Sequence, residues 1–365
     1  MATTIVHIAD VHLETVFTEV RGGAARRCAL AAAFERAVQL ALERNADALT
    51  IGGDLFEAER AGPQTARFLF AALARFGRPV FIAPGNHDPF GARSLYARSD
   101  LPENVHVFGE PMWQQVTLSE DVTLYGFGHT AAEPGRPFAG ARFDGSGARI
   151  ALVHGSDEQR CPPNKHPTAP FSPADIRAAG ATLALCGHFH GGYVHDDADG
   201  PVLAYPGSLE PIKFGEREPH GALVLTAHGS KIQLEAVPLA HTHLHERTIF
   251  LDEATDESAV IAAAEQALAG FGATDYVRAT LAGRLAPGTR VDPNLILQRM
   301  QHIGGLELRD RTANEGESLA EIATEDTVRG RAVAELLAQA SNGDPDARRA
   351  AYLVAAAFSG AELRA

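Results

Sequence analysis

Cysteine is scarce in this chain: three of 365 residues, Cys28, Cys161 and Cys186. Their odd number and the lack of any Cys-x-x-Cys spacing argue against a disulfide framework and a thiolate zinc knot. Reduced thiols in a cytoplasmic protein are the simplest account. Basic residues are in deficit, with 32 Lys and Arg against 46 Asp and Glu, a formal net charge of −14. A grip on nucleic acid through net charge alone is thereby excluded, so such a substrate would need a local basic patch, metal ions or a partner. No apolar run reaches the roughly 18–20 residues of a membrane span, and the first residues carry no basic-then-apolar leader. No membrane association is expected. Internal repeats and low-complexity tails are also missing.

Hydrophobic residues make up 45% and charged residues 21%, an ordinary globular balance in a chain long enough for one large and one small domain. From Thr4 to about residue 240, apolar runs alternate with amphipathic stretches. Strands are expected at 5–9, 48–51 and 79–83, and helices at 26–42 and from Pro63, well placed as a first helical residue, to about Phe76. This order and spacing predict parallel strands with helices outside, and ligands at the carboxyl ends of the strands. Further strands are expected near 122–127, 149–153, 181–186, 202–205, 222–226 and 232–237. The fold class is α/β: two facing mixed sheets flanked by helices. A histidine-rich linker at 241–245 then leads to a smaller unit, with strands near 247–252, 276–281 and 306–309 and helices near 255–269 and 293–303. From about Leu319 two helical stretches are expected, split at 341–345.

Five short blocks follow apolar runs: Asp10-Val11-His12, Gly53-Asp54, Gly85-Asn86-His87-Asp88, His154-Gly155 and Gly187-His188-Phe189-His190. They supply carboxylate, amide and imidazole donors without thiolate, a set suited to two divalent ions, Mn²⁺ favoured, with Fe²⁺ or Zn²⁺ as alternatives. Two such ions clamp the attacking and leaving oxygens of a phosphoryl transfer. Asp10 and His12, two apart in an extended segment, face one way and can reach one metal. Asp54 is the expected bridging carboxylate, Asn86 offers a neutral oxygen to the second ion, and His188 and His190 can reach different metals. His87 and Asp88 suit chemistry better than ligation: the imidazole protonates the departing alkoxide, and the neighbouring carboxylate orients it. The expected nucleophile is a hydroxide bridging the ions. His7 reads as a core or outer-sphere histidine and Cys186 as a small hydrophobe beside the site. His129, His166 and His195 read as surface or loop residues, with His129 able to line the cleft.

With these blocks the sequence resembles the calcineurin-like metallophosphoesterases over roughly residues 1–240. The resemblance implies a four-layer αββα sandwich of two mixed sheets. It also implies one metal on Asp10, His12, Asp54 and His190, and another on Asp54, Asn86, His154 and His188, with His87 and Asp88 assisting the leaving group. Three features are similar to the SbcD-like DNA repair exonucleases: the style of the blocks around Asp10 and Gly53-Asp54-Leu55-Phe56, the Tyr205-Pro206-Gly207-Ser208-Leu209-Glu210 element, and the added αβ unit. That resemblance implies a nuclease domain at 1–240, a small DNA-capping domain at 246–318 and C-terminal helices at 319–365. It further implies DNA as substrate, a homodimer, and an SbcC-like ABC-type coiled-coil ATPase as partner. Glu57 stands where some relatives carry a histidine, and it is assigned only a cleft-lining place. Lys213, Phe214, Glu216 and Arg217 stand where relatives tend to have a basic Gly-Arg element. Arg93, Lys213 and Arg217 are the candidate substrate contacts, with Arg21, Arg26, Arg27, Arg60, Arg98 and Lys165 as further loop cations. The rival reading is a phosphoesterase for small phosphodiesters or monoesters such as cyclic nucleotides, which the acidic balance fits better.

Overall fold

In a computed structural model, strand alternation divides residues 1–244 between two sheets and three cores. The structure describes residues 2–17, 22–130, 134–164, 166–252, 254, 256–285, 291–313, 319–341, 344 and 346–358. The chain falls into two compact units, Met1–Leu244 and His245–Ala365. In the larger, the elements run β1 (Thr3–Ile8), α1 (Gly23–Glu43), β2 (Ala48–Ile51), α2 (Pro63–Phe76), β3 (Val80–Ile82), β4 (Val105–Val107), β5 (Gln114–Ser119), β6 (Val122–Phe127) and β7 (Ala148–His154). Then come α3 (Pro173–Ala178), β8 (Leu183–Gly187), β9 (Tyr193–Asp197), β10 (Gly200–Tyr205), β11 (Gly221–His228) and β12 (Lys231–Pro238).

Two six-stranded sheets form, ordered β12-β11-β1-β2-β3-β4 and β5-β6-β7-β8-β10-β9. Strands β1 to β4 are parallel, as are β6, β7, β8 and β10, while β11 and β12 at one end of the first sheet and β5 and β9 at the ends of the second pair antiparallel with their neighbours. Both sheets are therefore mixed. Side chains of successive residues point to opposite faces, so Val6 and Ile8 of β1 pack with α1 and α2, while Ile5 packs between the sheets. In β7, Ile150 and Leu152 join that central layer, whereas Ala151 and Val153 face α3 and the aromatic side chains Phe138, Phe143 and Phe171. Helix α1 buries Leu30, Ala33, Phe34, Ala37, Val38 and Ala41, the i, i+3, i+4 stripe of an amphipathic helix. Each fully buried aliphatic of these layers contributes roughly 1.5–3 kcal/mol relative to exposure. The result is the four-layer αββα sandwich of two mixed sheets.

The short strands β4, β5 and β9 have no counterpart in the sequence reading. β4 has three residues, and β5 is an edge strand with alternating exposure, so neither forms an apolar run. Pro63 does begin α2. One buried acid closes the large unit. Glu210 accepts from Arg36 Nη2 at 2.6 Å, from the backbone N–H groups of His241 and Thr242 at 2.9 Å each, and from Thr242 Oγ1 at 2.7 Å.

The smaller unit has a three-stranded sheet ordered β13 (His243–Phe250), β14 (Asp275–Arg284) and β15 (Gly305–Ala313), with β14 and β15 parallel. Helices α4 (Glu257–Leu268) and α5 (Pro293–Arg299) cover its apolar face. Three C-terminal helices follow rather than two, α6 (Leu319–Ala323), α7 (Val328–Ser341) and α8 (Ala347–Phe358), with a small core of their own. No helix among the described residues is long and apolar enough to cross a membrane.

Candidate metal centre

The five blocks leave the carboxyl ends of β1, β2, β3, β7 and β8, so both sheets contribute to one edge. Their backbones are bent hard. Among the described residues seven non-glycines have positive φ, and four of them are Asp10 (53°), His12 (51°), Asp54 (52°) and His188 (110°). Such conformations cost free energy and persist where surrounding structure enforces them. The enforcement is visible: Asp10 N donates to Gly53 O at 3.0 Å and His12 N to Asp54 O at 2.9 Å, running the first two loops side by side. Gly53 has φ +90°, and a Cβ there would lie 2.7 Å from both Gly85 N and His154 Nδ1. Only glycine fits.

Asp54 sits at the centre. Its Oδ2 is 3.3 Å from His154 Nε2 and 3.6 Å from His12 Nε2, and its Oδ1 accepts from His87 N at 2.8 Å. Burial opposes its charge, yet His154 and His12 hold its pKa well below the ordinary carboxylate range. His154 donates from Nδ1 to Gly52 O at 2.8 Å, which leaves Nε2 facing Asn86 Oδ1 at 3.0 Å. Burial pulls this histidine down, but the charge of Asp54 outweighs it and lifts the pKa to about 9. His190 donates from Nδ1 to Glu216 Oε1 at 2.5 Å, and His12 from Nδ1 to Glu57 Oε1 at 2.9 Å. Their Nε2 atoms then meet at 3.1 Å.

This arrangement tests whether cations fit. In the metal-free chain a proton on His154 serves the contact with Asp54. With cations present instead, rings whose Nδ1 protons are committed to acceptors would aim Nε2 lone pairs towards the Asp54 and Asn86 oxygens. Facing lone pairs at such distances repel unless positive charge lies among them. Donor atoms of Asp10, His12 and His190, and separately of Asp10, Asp54 and His154, lie within 4.8 Å of one another. Histidines that give their other N–H to a carboxylate or carbonyl are the usual metal-binding arrangement. The residues therefore fit divalent cations, and Asp10 is common to both groups. His188 contributes its backbone N–H to Asp10 at 2.9 and 3.0 Å, and its ring lies 5.2 Å from that of His154. Burial lowers its pKa to about 3, keeping the imidazole neutral as a ligand must be.

Several assignments change. Asp88 does not stand behind His87. It is fully buried and accepts from Asp54 N, Leu55 N, Gly85 N and the Tyr96 hydroxyl, at 3.0, 2.7, 2.6 and 2.5 Å, and so fixes the turn that presents Asp54. Neighbouring side chains point apart, and His87 is turned outward with 43% of its side chain exposed. The carboxylate that holds it is Glu57, whose Oε2 lies 2.9 Å from His87 Nδ1 and raises the His87 pKa. Glu57 thus binds His12 with one oxygen and His87 with the other, far more than lining a cleft. His129 is likewise no surface residue: it is buried, donates to His154 O at 2.7 Å, and burial lowers its pKa to about 4. His7 is in the core, between Thr50 Oγ1 at 3.0 Å and Cys186 O at 3.2 Å.

Sequence reasoning missed Glu57 and Glu216 as orienting groups, because their partners lie 45, 30 and 26 residues away. Of the candidate substrate contacts, Arg93, Lys213 and Arg217 are exposed and lie outside helices and strands. Arg26 is buried and donates to Pro211 O at 2.7 Å and Ile212 O at 3.1 Å, so it is a packing residue. Arg98 is paired with Asp100. Arg21 and Lys165 lie outside the described residues. In the Tyr205–Glu210 element, Ser208 N donates to His190 O at 2.9 Å, steadying that ligand loop.

The chain belongs to the calcineurin-like phosphoesterase family, whose family model matches residues 3–192, more than half its length. It is a metal-dependent phosphoesterase in class. Among known proteins it is 30% identical over 233 residues to the DNA double-strand break repair protein Mre11 of Aeropyrum pernix, covering 58% of this chain and 54% of that one. It is 26% identical over 235 residues to the protein of the same name from Archaeoglobus fulgidus, covering 58% and 51%. The chain thus spans about half the length of these curated relatives. Among solved structures, TT1561 of Thermus thermophilus aligns with a TM-score of 0.41 at 16% identity, covering 65% of this chain and 99% of that one.

Proposed function

We propose that this protein hydrolyses phosphodiester bonds of DNA at a centre of two divalent ions, with His87 as proton donor to the leaving oxygen. The carrying observation is that Asp54 Oδ2 lies 3.6 Å from His12 Nε2 and 3.3 Å from His154 Nε2, with a carboxylate-held imidazole at the exposed rim. Asp10, His12, Asp54 and His190 would hold one ion, and Asp54, Asn86, His154 and His188 the other. Bound divalent ions supply Lewis-acid stabilisation of phosphoryl oxygens and an activated water, and Mn²⁺ is the ion we favour. The protein's own part is positional. Glu57 and Glu216 keep the His12 and His190 lone pairs inward, Asp88 and Tyr96 hold the Asp54 turn, and Glu57 favours the protonated form of His87 and holds its ring at the rim. An imidazolium there gives its proton as the ester oxygen departs.

DNA as the substrate is supported by the Mre11 relatives, whose names describe DNA double-strand break repair. In this reading residues 246–318 serve as a DNA-capping domain and the helices of 319–365 as a docking element for an SbcC-like ATPase. The protein works as a homodimer in the cytoplasm. Purified protein with Mn²⁺ is expected to shorten linear duplex DNA. Parallel assays on bis(p-nitrophenyl) phosphate and p-nitrophenyl phosphate separate the alternatives. The net charge of −14 favours the second reading, an enzyme for small esters. Strong monoester preference with no action on DNA would establish it and overturn the first.

A further inference from the structure

A net charge of −14 sets a physical problem for a DNA substrate, and the placement of positive side chains bears on it. In the large unit Arg36 is neutralised by Glu210, Arg44 by Glu235, Arg75 by Glu35 and Arg177 by Asp197. Several cations on the loops that follow the ligand blocks have no such carboxylate. Arg60 follows Asp54, Arg93 follows Asp88, Arg160 follows His154, and Lys213 and Arg217 follow His190. All five are exposed, and among the described residues none has an ion pair or a side-chain hydrogen bond. Arg98, paired with Asp100, is the exception among the described residues of these loops. A small ester presents one phosphate and has use for one or two such cations. Five unneutralised cations on these loops suit an extended polyanion.

Arg160 differs from the other four in having a fixed pose. Its guanidinium carbon lies 3.7 Å from the centre of the Tyr193 ring, and the Tyr193 hydroxyl meets His195 Nδ1 at 2.9 Å. Tyr193 is three residues past His190 and connects to the metal edge through rings. Tyr193 stacks on Tyr205 at 6.5 Å, Tyr205 meets Phe189 at 4.9 Å, and Phe189 meets His188 at 5.5 Å. The loop carrying Arg160 is pinned to the same column: the Tyr205 hydroxyl donates to Gly155 O at 2.8 Å and accepts from Asp157 N at 3.0 Å. Arg217 reaches the same segment, because its backbone carbonyl abuts Gly191 and Gly192 N donates to Pro219 O at 3.0 Å. The stretch 190–193 therefore contacts Arg217 through Gly191 and Arg160 through Tyr193.

We propose that Arg160, held on Tyr193, forms with Arg217 a phosphate subsite that takes the sugar–phosphate backbone of a nucleic-acid strand beside the bond being cut. Stacking on an aromatic face fixes the guanidinium plane and leaves its N–H edge open to paired phosphate oxygens, as an ammonium could not be fixed. Of the acids nearby, Glu158 is paired with Arg136, and Asp157 is buried beneath the loop, where the Arg160 charge favours its ionised form against burial. Glu216 is committed to His190, and Glu218 is exposed to water. This subsite rests on the phosphodiesterase reading above and names the part of a polymer that a small ester lacks.

The test is binding of a fluorescein-labelled DNA strand and of its duplex to the full chain, followed by anisotropy across a salt series. Each lost phosphate contact flattens the plot of log K against log salt by about 0.9 for duplex and about 0.7 for a single strand. Arg160→Ala is expected to flatten the slope by that amount and to weaken binding about five- to tenfold near physiological salt. Tyr193→Ala should act in the same direction, and Tyr193→Phe, which keeps the ring, should restore the wild-type slope. Arg44→Ala removes a cation already paired with Glu235 and serves as the control with unaltered slope. In cleavage assays with Mn²⁺, the ratio of kcat/KM on DNA to that on bis(p-nitrophenyl) phosphate should fall in Arg160→Ala, through KM. A wild-type slope in Arg160→Ala, in a protein that cuts DNA, overturns the subsite alone. A wild-type protein that hydrolyses the small diester yet neither binds nor cuts DNA overturns the DNA reading and the subsite together.

Discussion

His154 and His190 flank the same carboxylate-rich centre, but acceptors of different kinds orient them. His154 is fully buried and gives its Nδ1 proton to the backbone carbonyl of Gly52, a group fixed by the sheet itself. His190, and His12 beside it, give theirs to the side-chain carboxylates Glu216 and Glu57. A carbonyl sets the ring's direction and adds no net charge. A carboxylate also makes the imidazole a stronger donor, and it can be removed by one substitution. One half of the centre is thus built into the backbone, and the other is adjustable.

The largest effect should come from the residue common to both halves. Asp54→Ala is expected to abolish turnover and to lower bound Mn²⁺ per chain in equilibrium dialysis. The loss should exceed the ten- to hundredfold that removing an outer partner costs. His87→Ala should lower kcat on DNA by about 10²–10⁴-fold with metal content retained. Full activity in that variant would remove His87 from the mechanism.

His7 sharpens the contrast, because it has only a hydroxyl and a carbonyl for company and no carboxylate. Burial lowers its pKa from 6.5 to about 4, so it is neutral in the folded chain. The unfolded chain takes up the proton first as pH falls. Stability should then be full above about pH 6.5 and decline towards pH 4, by about 3 kcal/mol from this residue. Urea midpoints of metal-free wild type and His7→Gln across that range measure the difference; parallel curves would mean that His7 contributes nothing. The smallest effect expected is a ten- to hundredfold weaker Mn²⁺ affinity in Glu216→Gln. Wild-type affinity there would erase the distinction between the two halves.

Much of this was legible in the sequence, for a physical reason. Ligands at strand ends announce themselves, since an apolar run must stop and a glycine must permit the turn, as at Gly53-Asp54 and Gly85-Asn86. The parallel core and its helices followed from apolar periodicity. Pairings made only by the tertiary fold were not legible. Nothing local links Glu57 to His12 or Glu216 to His190. The sequence neighbour of His87 was a false guide, because Asp88 points inward to four donors while His87 points out. His129 looked like a loop residue until the fold packed it against His154. Arg160 drew no notice because its partner, Tyr193, lies on an edge strand with no apolar signature.

The Glu210 cluster has a practical consequence for dissecting the protein. Three of its four donors come from His241 and Thr242, beyond the point where composition alone would divide the chain. A fragment ending at residue 240 would keep Arg36 as the ion-pair partner of this carboxylate but lose three hydrogen bonds to it, each worth about 1.5–3 kcal/mol. Anyone preparing the phosphoesterase portion by itself should place the terminus beyond Leu244, where that anion retains every bond it makes in the intact chain.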